Sequence, residues 1–246
     1  MDLQTGIIIK TNKYKESSKI AYILTKDGLI NVLIRNSLDL KSKNFSYSNE
    51  LAKIEFNINK SKRASFDTLT SGVLLDNYSN IKMDIEKLTS ASNILYLIYK
   101  SSEYVSNNRN MFDLVSFYFD NLNNTNSNLI TIYNFIFNLK LLYLLGIGPN
   151  LKTCTVCEKE KTKYLSLLNG GCVCDKCKGS ISSNDIVLES DALSLFKILY
   201  LVKLSNVNDD YLSSLLKETE KIDSNGKIIN EIKVFIKEYY KKYLAI

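Results

Sequence analysis

The sequence predicts a multidomain α+β protein: a small N-terminal β-barrel, then an all-α helical domain into which a four-cysteine metal-binding motif is inserted. Three observations predict it. Between Leu3 and Asp76 the apolar residues come in short runs bounded by turn residues. After Asp76 they recur at helical spacing. Two C-x-x-C pairs, Cys154/Cys157 and Cys174/Cys177, with 16 residues between them, interrupt the helical part.

In the first part, Gly6-Ile7-Ile8-Ile9-Lys10 gives a strand, Lys19 to Leu24 a second and Leu29 to Ile34 a third. The link Thr25-Lys26-Asp27-Gly28 carries the Asp-Gly signal of a tight hairpin. A polar stretch from Asn36 to Asn49 follows, then strands around Leu51 to Asn57 and Thr68 to Leu75. Five strands with a long basic loop after the third suit a small barrel of the OB type. An SH3-like barrel fits the same strand count.

In the second part, Asp84 can cap a helix running through Ile94, Leu95, Leu97 and Ile98 toward Val105, with Asn107-Asn108 marking its end. Met111 to Leu122 forms the next helix, Asn121 to Asn128 a polar loop, and Leu129 to Leu145 a third helix stopped at Gly146-Ile147-Gly148-Pro149. Beyond Ser180 the expected helices are Asp191 to Leu204, Asp209 to Ile222 and Ile228 to Leu244. Their apolar stripes read as core. No segment repeats at a fixed period. The expected domains are 1–78 for the barrel, 79–150 with 180–246 for the helical domain, and 151–179 for the cysteine insertion.

Two cysteines separated by two residues can turn both sulfurs toward one point. Two such turns supply four thiolates for a tetrahedral Zn²⁺ at about 2.3 Å each. The chain has no histidine, so a mixed Cys/His site is excluded. Disulfides need an oxidising compartment, and the N-terminus shows no secretory signal. A redox motif needs one C-x-x-C at a helix start, whereas two lie here in a loop-rich stretch; redox or iron–sulfur chemistry and a site that has lost its metal remain the alternatives. Four protein thiolates leave no position for water, so such a zinc is structural. Between the knuckles, Lys163 to Leu168 reads as a strand and Asn169-Gly170-Gly171 as a turn. Cys172 reads as a spare thiol or, failing that, an alternative ligand.

With 246 residues and a 45% hydrophobic share, the chain can bury real cores. Its longest apolar runs, Ile7 to Ile9 and Leu141 to Leu145, are far too short to span a bilayer, and a cytoplasmic protein is expected. Net charge is +6, but between Lys10 and Arg63 twelve Lys and Arg face five Asp and Glu, giving +7 there and −1 elsewhere. A basic region of this kind suits a polyanion such as nucleic acid; a solvated lysine-rich surface is the plainer alternative. Without histidine the usual general base is missing. No Walker-type loop is present, and Asp209-Asp210 sits at a helix start, where acids favour the macrodipole. The chain is not expected to be an enzyme, although a nuclease site assembled from scattered carboxylates is a competing reading.

The opening Gly6-Ile7-Ile8-Ile9-Lys10-Thr11, with Tyr14, Glu16, Ser17, Lys19 and Ile23-Leu24-Thr25, resembles the first hairpin of the bacterial recombination mediators of the RecO family. Leu139 to Leu142, Leu145-Gly146 and Pro149, leading to Cys154-Thr155-Val156-Cys157, resemble that family's approach to its zinc site, and Gly170-Gly171 before Cys174-Asp175-Lys176-Cys177 resembles its second knuckle. The order of parts agrees over nearly the whole chain. One departure is the segment Arg35 to Lys43, where Asp39 thins a cluster that is more basic in the family.

The resemblance implies an OB barrel, structural Zn²⁺ on Cys154, Cys157, Cys174 and Cys177, and binding of single- and double-stranded DNA. It also implies annealing of complementary strands and, with RecR, promotion of RecA loading onto DNA coated by the single-stranded-DNA-binding protein. Lys10, Lys13, Lys15, Lys19, Arg35, Lys41 and Lys43 are then the candidates to neutralise phosphates. Tyr14, Tyr22, Phe45 and Tyr47 are candidates for base stacking, with core or strand surface as the alternative. Lys140 is a candidate contact for an acidic partner tail. A different class, an OB barrel with a zinc knuckle serving RNA binding or transcription, fits the same parts.

Overall fold

The computed structural model describes residues 3–61, 65–222 and 225–244. Lys62 and Arg63, part of the basic tally above, lie outside the described residues. The chain divides into two compact units, one ending at Ile130 and the other beginning at Thr131.

The first unit is built on strands β1 (Gln4–Tyr14), β2 (Ser18–Thr25), β3 (Gly28–Ile34), β4 (Lys53–Asn59) and β5 (Asp67–Asp76). They close into a barrel in the order β1-β2-β3-β5-β4. β1 pairs antiparallel with both β2 and β4, and the β3–β5 junction is parallel, with Val32 opposite Asp67. The architecture is the OB barrel. Its interior holds Ile8, Ala21, Ile23, Val32, Ile34, Ile54, Phe56 and Leu69.

Alternation along β1 should expose every second residue, yet Ile7, Ile8 and Ile9 are all buried. Ile8 points into the barrel. The opposite face of the strand is covered by helix α3 (Ile85–Ser101), which packs against β1. The polar stretch after β3 is not all loop: Ser42 caps a single helical turn, α1 (Lys43–Ser46), by accepting the Asn44 N–H at 3.2 Å.

Besides α3, the first unit contains α2 (Ser79–Met83) and α4 (Asn108–Asn124). Asp84 caps α3 as expected, accepting the Lys87 N–H at 3.0 Å. Two helix ends differ from expectation. α3 stops at Ser101 and passes into a 3-10 turn over Ser102–Tyr104, and Asn107 begins the next helix rather than ending this one, accepting the Asn110 N–H at 3.0 Å. α4 runs on to Asn124 through residues expected as loop. The fully buried Leu122 anchors that turn, while the Asn121 and Asn124 amides each donate to a carbonyl four residues back at 2.7 Å.

In the second unit α5 (Ile130–Leu144) ends where expected. Gly146 adopts φ +71°, a left-handed conformation natural to glycine, and Ile147 N–H reaches back to the Leu142 carbonyl at 3.1 Å. The cysteine region forms a three-stranded sheet where one strand was expected: β6 (Tyr164–Ser166) lies between β7 (Gly171–Val173) and β8 (Val187–Glu189). Helices α6 (Ser190–Leu201), α7 (Asp209–Ile222) and α8 (Lys227–Leu244) follow, with Leu204–Asn206 a separate 3-10 turn rather than the end of α6. Among the described residues no helix is long and apolar enough to cross a membrane.

Candidate metal centre and nucleic-acid interface

The two C-x-x-C knuckles meet. In the first, Glu158 turns left-handed at φ 62°, and its N–H returns to the Cys154 carbonyl at 2.8 Å. In the second, Cys174 sits at the end of β7 and starts the 3-10 turn Asp175–Ser180, with Cys177 N–H on its carbonyl at 3.0 Å. The four Sγ atoms lie within 4.8 Å of one another, and those of Cys157 and Cys174 are 3.6 Å apart. A tetrahedron with metal–sulfur bonds of ~2.3 Å has edges of about 3.8 Å, so the donor set fits a metal ion. It does not fit disulfides, which hold sulfurs at ~2.05 Å, and all five cysteines are free.

The electrostatics of the free thiols agree. Burial opposes ionisation of Cys154, but the backbone N–H donors of Cys174, Cys157 and Val156 outweigh it and bring the thiol down to about 6. Hydrogen bonding with the Cys157 and Cys174 sulfurs pushes Cys177 up to about 12. Four sulfurs this close cannot all be thiolates without a cation between them. Cys172 stands apart from this group: it is fully buried on β7 opposite Leu165, and burial raises its thiol.

The predicted DNA-contact residues fall into two groups. Lys13 lies near the end of β1 and Lys15 on the β1–β2 turn, and Arg35, Lys41 and Lys43 lie on the segment after β3, all exposed. The two segments are tied together: Leu38 N–H donates to the Ser17 carbonyl at 2.9 Å, and Ser17 Oγ to Asn36 Oδ1 at 3.3 Å. Five cations thus belong to the end of β1, the turn after it and the segment joined to that turn. Tyr14, at the end of β1, meets Phe66 edge-on at 6.0 Å, bringing the β1–β2 turn beside the β4–β5 loop. In OB folds these two loops flank the ligand-binding face. Phe45, on α1, is half-buried.

The others are placed differently. Lys19 is 9% exposed and donates to the Ser48 carbonyl at 3.2 Å and to Asn49 Oδ1 at 2.8 Å, with its pKa lowered by burial. It anchors the segment before β4 and is not free for phosphate. Tyr47 is 4% exposed, its ring lying where a Cβ on Gly72 would meet it at 2.8 Å. It is a core residue, withdrawn from any base. Tyr22 is half-buried, edge-on to Tyr99 at 5.2 Å, and Lys10 Nζ caps the Tyr99 ring at 4.1 Å from its centroid. Lys140 in the second unit donates to the Tyr200 carbonyl, and burial lowers its pKa.

Phe66, Tyr96, Tyr99 and Lys100 are not among the sequence candidates. Phe66 is legible as an aromatic in a polar inter-strand segment; the other three read as an ordinary amphipathic helix until packed against β1.

A closed OB barrel followed by a helical part that carries a four-thiol metal motif defines the class: an OB-fold protein with a four-cysteine clip. Comparison with known families narrows it. The model for the Recombination protein O N terminal matches residues 1–78, and that for the Recombination protein O C terminal matches residues 82–246. The chain belongs to the Recombination protein O (RecO) family, whose role is in DNA repair and recombination. It is 27% identical over 242 residues to the DNA repair protein RecO of Clostridium novyi (strain NT), covering 96% of this chain and 88% of that one. The DNA repair protein RecO of Clostridium perfringens (strain 13 / Type A) is 32% identical over 176 residues, 70% of each chain. That of Bacillus subtilis (strain 168) is 26% identical over 244 residues, covering 98% and 89%.

Proposed function

We propose that the chain is a non-enzymatic recombination mediator of the cytoplasm. It binds single- and double-stranded DNA, anneals complementary strands and, together with RecR, promotes RecA loading onto DNA coated by the single-stranded-DNA-binding protein. The observation that carries this reading is the joining of the β1–β2 turn, which adjoins Lys13, Lys15 and the Tyr14–Phe66 pair, to the segment after β3 that carries Arg35, Lys41 and Lys43. A cationic surface with aromatic rings neutralises phosphates and stacks unpaired bases without reading sequence. Annealing requires only that the repulsion of two strands be screened, and no covalent bond is made or broken.

The four thiolates hold Zn²⁺ in this reading, and the metal fastens the knuckles without touching DNA. Lys140 belongs to the partner-binding part, a contact for an acidic tail only if it leaves the Tyr200 carbonyl.

The deciding experiment is annealing of complementary DNA strands by the purified chain, with and without RecR and the single-stranded-DNA-binding protein. Faster annealing, retained on coated strands when RecR is added, supports the reading. A clear preference for RNA with no acceleration of DNA annealing overturns it in favour of an RNA-binding module, and cleavage of DNA in Mg²⁺ or Mn²⁺ overturns the non-enzymatic claim.

A further inference from the structure

Within the first unit a cleft of about 490 Å³ lies between β1 and α3, lined by Ile9, Lys10, Glu50, Leu95, Tyr96 and Lys100. Its floor is apolar: Ile9 is 2% and Leu95 7% exposed, whereas Tyr96 at the rim is 53% exposed. Two ammonium groups border it, each set over a ring. Lys10 Nζ is 4.1 Å from the Tyr99 centroid, and Lys100 Nζ is 5.8 Å from that of Tyr96. Among the described residues neither lysine has a carboxylate partner. The one carboxylate of the lining, Glu50, is outnumbered by these cations and accepts the Thr11 N–H at 2.8 Å.

We propose that this cleft receives an unpaired nucleotide of single-stranded DNA, its base stacked on Tyr96 and its flanking phosphates held by Lys10 and Lys100. An apolar floor with one exposed ring suits the face of a base, and cations at the border suit the phosphates on either side. The volume falls within the usual range of small-ligand pockets, ~300–1,000 Å³. A duplex has nothing to offer Tyr96, because its bases are stacked inward. The binding path therefore runs from the barrel onto α3, the first long helix of the chain.

This inference rests on the DNA-binding reading, and the test separates the two. Labelled DNA of about 20 nucleotides, long enough to exceed the ~4–16 nucleotides an OB fold covers, is titrated as a single strand or a duplex. The full chain is compared with Tyr96→Ala, Tyr96→Phe and Lys100→Ala. Tyr96→Ala is expected to weaken single-strand binding about five- to a hundredfold, the range of base–aromatic stacking, and to leave duplex binding and the salt slope unchanged. Tyr96→Phe restores the affinity, and Lys100→Ala lowers the single-strand salt slope by roughly 0.7.

Because the chain has no tryptophan, Tyr96→Trp adds a unique fluorophore that single strands should quench and duplex should not. If the wild type binds neither form of DNA, the functional reading and this inference fall together. If it binds single strands while Tyr96→Ala binds equally well and the introduced indole's emission stays flat, only the inference falls, and the cleft belongs to another occupant, such as a protein partner.

Discussion

Lys53 Nζ lies 3.1 Å from Asp120, joining strand β4 to helix α4. The same carboxylate accepts the phenol of the fully buried Tyr78 at 2.8 Å. Half-exposed Asp120 therefore serves two partners, one of which has no other exit from the core. Asp120→Ala is expected to destabilise the first unit by about 1–3 kcal/mol, the cost of orphaning a buried hydroxyl, with little of that from the partly screened ion pair. Urea unfolding of Asp120→Ala and Asp120→Asn checks it, since asparagine keeps an acceptor for Tyr78 and should recover most of the loss.

Tyr78 also predicts an alkaline limit. Burial, then its bond to Asp120, raises its pKa, and burial does the same for Tyr118, Tyr239 and Tyr240. A tyrosine with a raised folded pKa contributes stability that is complete below its unfolded value of ~10 and is lost as pH rises toward the folded one. Thermal stability should hold up to about pH 9 and fall steeply above ~10. Tyrosinate absorbance should rise with unfolding rather than ahead of it for these four rings.

The cysteine cluster predicts about one Zn²⁺ per chain, counted by metal analysis. Cys174→Ser or a strong chelator should lower the melting temperature, because binding free energy at a structural site is folding free energy. Cys172→Ala should leave the metal content unchanged. A metal-free preparation whose stability matches the wild type would remove the structural role.

Lys41 and Lys43 carry the salt dependence in the proposed DNA surface. Replacing both with Glu should lower affinity and flatten the slope of log K against log salt by at least ~1.4 for single strands, about 0.7 for each phosphate no longer neutralised. Lys19→Met should act differently, lowering stability through its missing bonds to Ser48 and Asn49 while leaving the slope intact. Anisotropy titrations at several salt concentrations distinguish them.

Two tyrosines of one sequence group should separate in the same way. Tyr47→Ala empties the space beside Gly72 and should cost about 3 kcal/mol or more. Tyr14→Ala, at the half-buried pair with Phe66, should cost less stability and weaken single-strand binding. Unfolding and binding measured on both variants test the assignment.

Elements whose signals are local could be read from the chain before it folds. Short apolar runs and the Asp-Gly turn marked the first three strands, Asp84 and Gly146 marked helix ends, and the Cys-x-x-Cys spacings marked both halves of the candidate metal centre. Each depends on residues within a few positions of one another. Helix ends set by burial were less legible: Leu122 pulled polar asparagines into α4, against their composition.

Which basic and aromatic side chains are free was settled by packing alone. Lys19 and Tyr47 look in sequence like Lys13 and Tyr14, but barrel closure turns the first two inward and leaves the second two near solvent. The same closure sets Ile9 and Lys10 against α3, and so makes a cleft from residues far apart in the chain. Exposure and long-range contact belong to the packed molecule, because they depend on which surfaces the barrel and its helices cover.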